Sequence, residues 1–190
     1  MTDLDVLVLD FDRTLFDTDT YYAAVLDLLA ANFGIDRGRV LQDFKTHQHT
    51  QDGMQHYDFF GHVVALGLDP DVVEAAVISE FAGKFVYADV PQVLQMLPDT
   101  LEAVVLTYGD PRHQHMKYRL SGLNLPLNIA SGQKGPWLQN RYGDKRGLMV
   151  DDRVVTDLPP KFSFVQIDRT AQNSGAPTDL NFLISNTRKY

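Results

Sequence analysis

The N-terminal stretch constrains the fold most. Leu4-Asp5-Val6-Leu7-Val8-Leu9 is a short, largely aliphatic run, and Asp10-Phe11-Asp12-Arg13-Thr14 follows it directly. A run of this kind reads as a strand buried on both faces, as in the interior of a parallel sheet. Side chains at i and i+2 share one face of a strand, so Asp10 and Asp12 are expected to aim at one reacting centre. Burying two like charges costs free energy unless a cation or a proton offsets it. An isolated D-x-D pair says little, because surface loops hold many. This one ends an apolar strand and has counterparts downstream.

Those counterparts come from a repeated pattern in the second half of the chain. Leu101 to Thr107 is a β-like run ending in Tyr108-Gly109-Asp110, and Pro111 opens a helix that closes near Gly122. Pro126 to Ala130 is a short strand, followed by a helix containing Trp137-Leu138. Gly147 to Val150 leads into Asp151-Asp152, and Phe162 to Ile167 is a further strand. Strand–helix alternation implies an α/β fold with a parallel sheet and right-handed crossovers. The polar segment 170–178 reads as loop, and the last dozen residues as a small element packed on the core.

Between the first strand and this alternating region lies a block of different character. Asp17-Thr18-Asp19 offers helix caps, and Tyr22, Val25, Leu26, Leu29 and Phe33 recur at helical spacing before Gly34. Further helices are expected over 36–48, 55–66 and 70–82, the last with Asp69 as cap and Pro70 in its first turn. From about 17 to 88 the pattern is helical, with no convincing strand. The expected division is a core of 1–16 and 89–190 with 17–88 inserted.

Composition narrows the function. A chain of 190 residues suffices for one well-buried core and a small insertion. The formal net charge of −8 argues against a general nucleic-acid or anionic-membrane binder, though not against a small phosphorylated substrate. There is no cysteine, which excludes disulfides, zinc-thiolate sites and thiol catalysis. No signal-like segment or membrane-length apolar run is apparent, so a cytoplasmic location is expected.

In parallel α/β sheets, ligands sit beyond the carboxyl ends of the strands. That rule gathers Asp10 and Asp12, Thr107 with the amides of Tyr108 and Gly109, Lys134, and Asp151 with Asp152 on one edge. Paired acids, a hydroxyl, free amides and a lysine suit an anionic phosphoryl group bridged to a hard divalent cation. Lys117 and Lys145 are expected to be solvated. Asp157 is a possible third acidic member.

In these residues the chain resembles the haloacid dehalogenase superfamily, and specifically its phosphatases. The family's D-x-D-x-T motif matches Asp10-Phe11-Asp12-Arg13-Thr14, its strand-end Ser or Thr matches Thr107, its lysine matches Lys134, and its acidic motif matches Asp151-Asp152. The resemblance implies a Rossmann-like parallel sheet flanked by helices, with 17–88 as an inserted helical cap of the C1 type. It also implies a Mg²⁺-dependent phosphomonoesterase acting on a small phosphate ester through an aspartyl-phosphate. Asp10 would be the nucleophile and Asp12 the acid and base. Thr107, Tyr108, Gly109 and Lys134 would hold the phosphoryl oxygens. Mg²⁺ would be bound by the Asp10 carboxylate, the Asp12 carbonyl and Asp152, with Asp151 acting directly or through water. A cap that closes over the site implies a modest substrate. A phosphomutase of the same superfamily and a non-catalytic regulator that binds a phosphorylated ligand are the alternatives.

Arg13 departs from the family pattern, which has Gly there in many members. It could touch substrate or form a salt bridge to the cap. His47, His49, His56 and Tyr57, with Met54, Phe59 and Phe60 nearby, could form a substrate-facing surface or simply pack the insertion. His47 and His49 diverge on a helix and lack a third ligand, which argues against a transition-metal site; His113 and His115 fail the same test. Tyr21 and Tyr22 open the first helix of the insertion, where one of them could face substrate, though core packing is the expectation.

Overall fold

The computed structural model describes residues 4–51, 54–171 and 175–185. In chain order the elements are β1 (Val6–Leu9), α1 (Thr18–Phe33), α2 (Arg37–Thr46), β2 (Gln48–Gln51), β3 (Met54–Tyr57), α3 (Phe59–Ala65), α4 (Pro70–Phe81), α5 (Val90–Gln95), β4 (Glu102–Tyr108), α6 (Pro111–Ser121), β5 (Leu127–Ala130), α7 (Lys134–Tyr142), β6 (Gly147–Asp151), β7 (Phe162–Gln166) and α8 (Asn181–Ser185). They divide into two compact units, one of 1–17, 86–108 and 124–190, the other of 18–85 and 109–123.

The first unit is built on a five-stranded sheet in the order β5-β4-β1-β6-β7, with every pair parallel. All four residues of β1 are fully buried, as its unbroken aliphatic run requires of the central strand. Val6 and Val8 pack with Val104, Leu106, Met149 and Ala130 against Leu138 and Tyr142 of α7. Gly147 makes room for a neighbour: a Cβ there would lie 2.2 Å from the Phe162 ring. The α/β expectation holds, with one addition, since α5 was not foreseen. The expected loop at 170–178 includes residues 172–174, and the expected C-terminal element includes 186–190; both lie outside the described residues.

In the second unit, capping by aspartate recurs. Asp36 accepts from the Arg39 N–H, Asp58 from Gly61, Asp69 from Asp71, and Asp110 from His113, each closing the first turn of a helix. Gly122 ends α6 at φ +69°, a conformation that costs glycine little. Arg112 of α6 bonds Glu74 of α4 at 2.9 Å, and Gly83 donates to the Leu120 carbonyl at 2.8 Å.

The block is not wholly helical. The helices expected over 36–48 and 55–66 are shorter, and β2 and β3 form an antiparallel hairpin between them, with Gln48 opposite Tyr57 and His49 opposite His56. Backbone pairing accounts for it: the hairpin satisfies its own amides and carbonyls, without the apolar alternation that marks a half-buried strand.

Candidate active site

Three adjacent parallel strands deliver their ends to one edge. Asp10 follows β1, and its N–H donates to the Val150 carbonyl at 2.9 Å. Asp151 closes β6, and Asp152 comes next. Thr107 is the penultimate residue of β4 and is 1 % exposed. From β1 the sheet extends through β4 on one side and through β6 on the other. The carboxyl end of β1 is therefore the switch point at which an open α/β sheet forms its ligand crevice.

Lys134, the first residue of α7, reaches this point from the end of β5. Its Nζ donates to Asp10 Oδ1 and, at 2.7 Å, to Asp151 Oδ2. Asp10, Asp151 and Asp152 each bring a carboxylate oxygen within 4.8 Å of the others. Against the three carboxylates stand the Lys134 ammonium and Arg153, whose Nε lies 3.9 Å from Asp152 Oδ2, so the acids outnumber the cations. Burial, then the charge of Asp151, pushes the Asp10 carboxyl well above its ordinary range against the pull of Lys134. Burial and Asp151 also push Asp152 up to about 6. Burial disfavours the Lys134 charge, yet Asp10 and Asp151 outweigh that and hold its ammonium above the ordinary lysine value. Asp10 Oδ2 is buried and has no hydrogen-bond partner. A hard divalent cation with oxygen ligands fits the surplus charge of this all-carboxylate donor set.

Asp12 lies close enough for its charge to raise Asp10 further, but its carboxylate is not part of the three-acid cluster. Strand alternation is not what places it, because β1 ends at Leu9. Residues 11–16 form a tight turn in which the Phe11 carbonyl accepts from Thr14, Leu15 and Phe16, and Arg13 donates its N–H to the Phe16 carbonyl at 2.8 Å. Arg13 has φ +59°. A left-handed residue is needed there, which gives a backbone reason for glycine at this position.

The remaining expected residues sort plainly. Tyr108 ends β4 half-buried against the core. Gly109 has φ +139°, and a Cβ there would lie 2.8 Å from the Gln114 side chain. Lys145 is exposed and paired with Glu102, as expected of a solvated lysine. Lys117 is not solvated: it is 1 % exposed, with its Nζ 5.9 Å from the Tyr22 ring centroid. Its burial beside Tyr22, a residue far off in sequence, is not revealed by spacing alone. Asp157 is exposed, at φ +57°.

In the second unit the histidines split. His49 is exposed and stacks on His56 across the hairpin. His62 and His113, which lacked any sequence signal for burial, are 0 % and 3 % exposed. His62 shares a 2.6 Å hydrogen bond with the Tyr57 hydroxyl, and His113 a 3.1 Å one with Tyr21 while stacking on Phe59. Tyr21 is fully buried, as expected. Gly135 has no sequence signal for its close packing. A Cβ there would lie 2.2 Å from the Thr156 carbonyl oxygen, so α7 starts against the backbone of the loop that follows Asp152.

No protein-family model matches the chain, and no curated protein does. Solved structures do. A protein described as a haloacid dehalogenase-like hydrolase from Burkholderia xenovorans superposes with a TM-score of 0.67 at 22 % identity, over 90 % of this chain and 88 % of that one. The chain has the haloacid dehalogenase-like fold. A magnesium-bound HAD-hydrolase from Bacillus subtilis matches with a TM-score of 0.55 at 13 % identity, over 93 % of each chain. A haloacid dehalogenase-like family hydrolase from Xanthomonas campestris gives 0.53 at 16 %, over 96 % of this chain and 95 % of that one. In that fold, the acidic cluster at the end of β1 and β6 is the candidate active site. Among the described residues, no helix is long and apolar enough to cross a membrane.

Proposed function

We propose that the protein is a divalent-cation-dependent phosphomonoesterase that works through an aspartyl-phosphate on Asp10. The observation that carries this reading is the Asp10 carboxylate itself: Oδ1 is held by Lys134, while Oδ2 is buried and unpartnered. A carboxylate oriented through one oxygen offers the other as a nucleophile.

In this reading Asp10 Oδ2 forms a bond to phosphorus as the ester P–O bond breaks, and Asp12 gives its proton to the departing oxygen. Asp12 then takes a proton from water as that water attacks the phosphoryl group, which frees Asp10 and releases phosphate. Thr107, the amides of Tyr108 and Gly109, and Lys134 hold the phosphoryl oxygens. Asp10, Asp151 and Asp152, with the Asp12 carbonyl, would hold Mg²⁺. When bound, such a cation supplies charge neutralisation at the phosphoryl oxygens. The magnesium in the Bacillus subtilis structure supports the choice of metal. Residues 17–88 are read as the inserted cap.

The test is phosphate release from an aryl phosphate and a panel of phosphorylated metabolites, with Mg²⁺ and with EDTA, for wild type and Asp10→Asn. Metal-dependent release that disappears in the variant is expected. Equal release from both proteins contradicts the reading.

A further inference from the structure

We propose that Arg169 is a positioning residue that fixes the backbone of the Asp10–Phe16 loop to the end of β6, a role that rests on the phosphomonoesterase reading. Its side chain is 5 % exposed. Nε and Nη2 donate to the Thr14 carbonyl oxygen at 3.0 and 2.6 Å. Nη1 donates to Asp89 Oδ1 at 2.8 Å and to the Thr178 carbonyl at 3.3 Å. The guanidinium also lies over the Tyr87 ring, 4.3 Å from its centroid. The second oxygen of Asp89 accepts from the Leu180 N–H at 2.7 Å.

The segment that carries Arg169 is itself anchored at the acidic cluster. Two residues earlier, Ile167 donates its N–H to the Asp151 carbonyl at 2.9 Å. Asp168 then fixes the turn, accepting from the N–H and hydroxyl of Thr170 and donating its own N–H to the Pro177 carbonyl. Residues 167–169 therefore bond to the backbone of both acidic loops, at Asp151 and at Thr14. The charges of Asp10, Asp151 and Asp152 push these loops apart. Lys134 opposes that through side chains, and Arg169 opposes it through the backbone.

Only arginine meets the geometry. Its planar fork donates in several directions at once, whereas a lysine ammonium could keep the Asp89 contact but not the paired donation to Thr14. Asp89 follows the segment where the chain re-enters this unit, which is joined to the loop by the Phe16–Val86 bridge and the Tyr87 N–H to Leu15 carbonyl bond. The loop is thus held along its length.

The experiment compares full-length wild type with Arg169→Lys and Arg169→Ala. It measures amide hydrogen exchange without metal and aryl-phosphate kinetics with Mg²⁺. Exchange across residues 11–16 is expected to quicken by about tenfold or more while β4 and β6 keep their protection. The expected kinetic result is a kcat lower by roughly tenfold or more with KM within about twofold, the split that marks lost positioning. Unchanged exchange at 11–16 overturns the proposal, and so does a uniform rise across the whole sheet, which marks a purely structural residue. If Arg169→Ala does not fold, Arg169→Lys decides by the same criteria. If the wild type releases no phosphate, the enzymatic reading fails, and exchange alone decides whether Arg169 fixes the loop.

Discussion

Lys134 Nζ donates to Asp10 Oδ1 and, at 2.7 Å, to Asp151 Oδ2, so one ammonium joins the carboxyl ends of β1 and β6. Breaking a buried pair by removing one partner is costlier than never having built it. Lys134→Met should therefore lose about 3 kcal/mol of stability in metal-free urea unfolding at neutral pH. In the proposed reaction the ammonium would also meet charge that develops on the phosphoryl group, so turnover should fall about a hundredfold or more. Turnover near the wild-type level would remove Lys134 from the mechanism.

Gly135 admits no side chain. A Cβ would meet the carbonyl oxygens of Thr156 and Asp157 at 2.2 and 2.8 Å, so Gly135→Ala must shift either the start of α7 or the loop after β6. Overpacking of this kind costs about 1–3 kcal/mol, and a shift of Lys134 relative to Asp151 should lower kcat roughly tenfold. A variant with wild-type melting and kinetics would show that the loop yields freely.

Arg13 is held at φ +59°. Arg13→Gly should stay within about 1 kcal/mol of wild type, because relief of the left-handed strain is offset by glycine's greater chain entropy. Arg13→Val should lose about 1–3 kcal/mol, since a β-branched residue tolerates this conformation least. Thermal melts of the pair read the difference directly. Equal stability of the two variants would contradict the backbone account.

His62 is buried beside the imidazole of His47, with Tyr57 on its Nδ1 and the carboxylates of Asp43 and Asp58 near. Burial, then the His47 charge, lowers its pKa to about 4. The imidazole of the unfolded chain takes its proton near 6.5, so between these values the unfolded state binds more protons and acid lowers stability. Above that window neither state is protonated and the effect vanishes. Between neutral pH and about pH 4.5, wild type should lose on the order of 2 kcal/mol more than His62→Gln in urea unfolding. Parallel losses in the two proteins would mean His62 titrates normally.

The sheet and the three-acid cluster of Asp10, Asp151 and Asp152 were legible because their signals are local. The unbroken aliphatic run of β1 requires burial on both faces, and acids or hydroxyls at strand ends fall on one edge once the strands are parallel. Strand alternation does not place Asp12: the strand stops at Leu9, and a turn closed on the Phe11 carbonyl positions it. The β2–β3 hairpin was hidden because Gln48-His49-Thr50-Gln51 has no apolar alternation. The burial of Lys117 and Arg169 depends on partners distant in sequence, Tyr22 for one and Thr14 and Asp89 for the other. No periodicity encodes such pairings.

The most direct test of the central claim is to quench the protein with acid during incubation with an aryl phosphate and Mg²⁺ and weigh its peptides. A phosphoryl group on the peptide containing Asp10, absent from Asp10→Asn and from a reaction run in EDTA, is the predicted result. Steady phosphate release with no phosphoryl group on that peptide, or with one on another residue, would contradict the account.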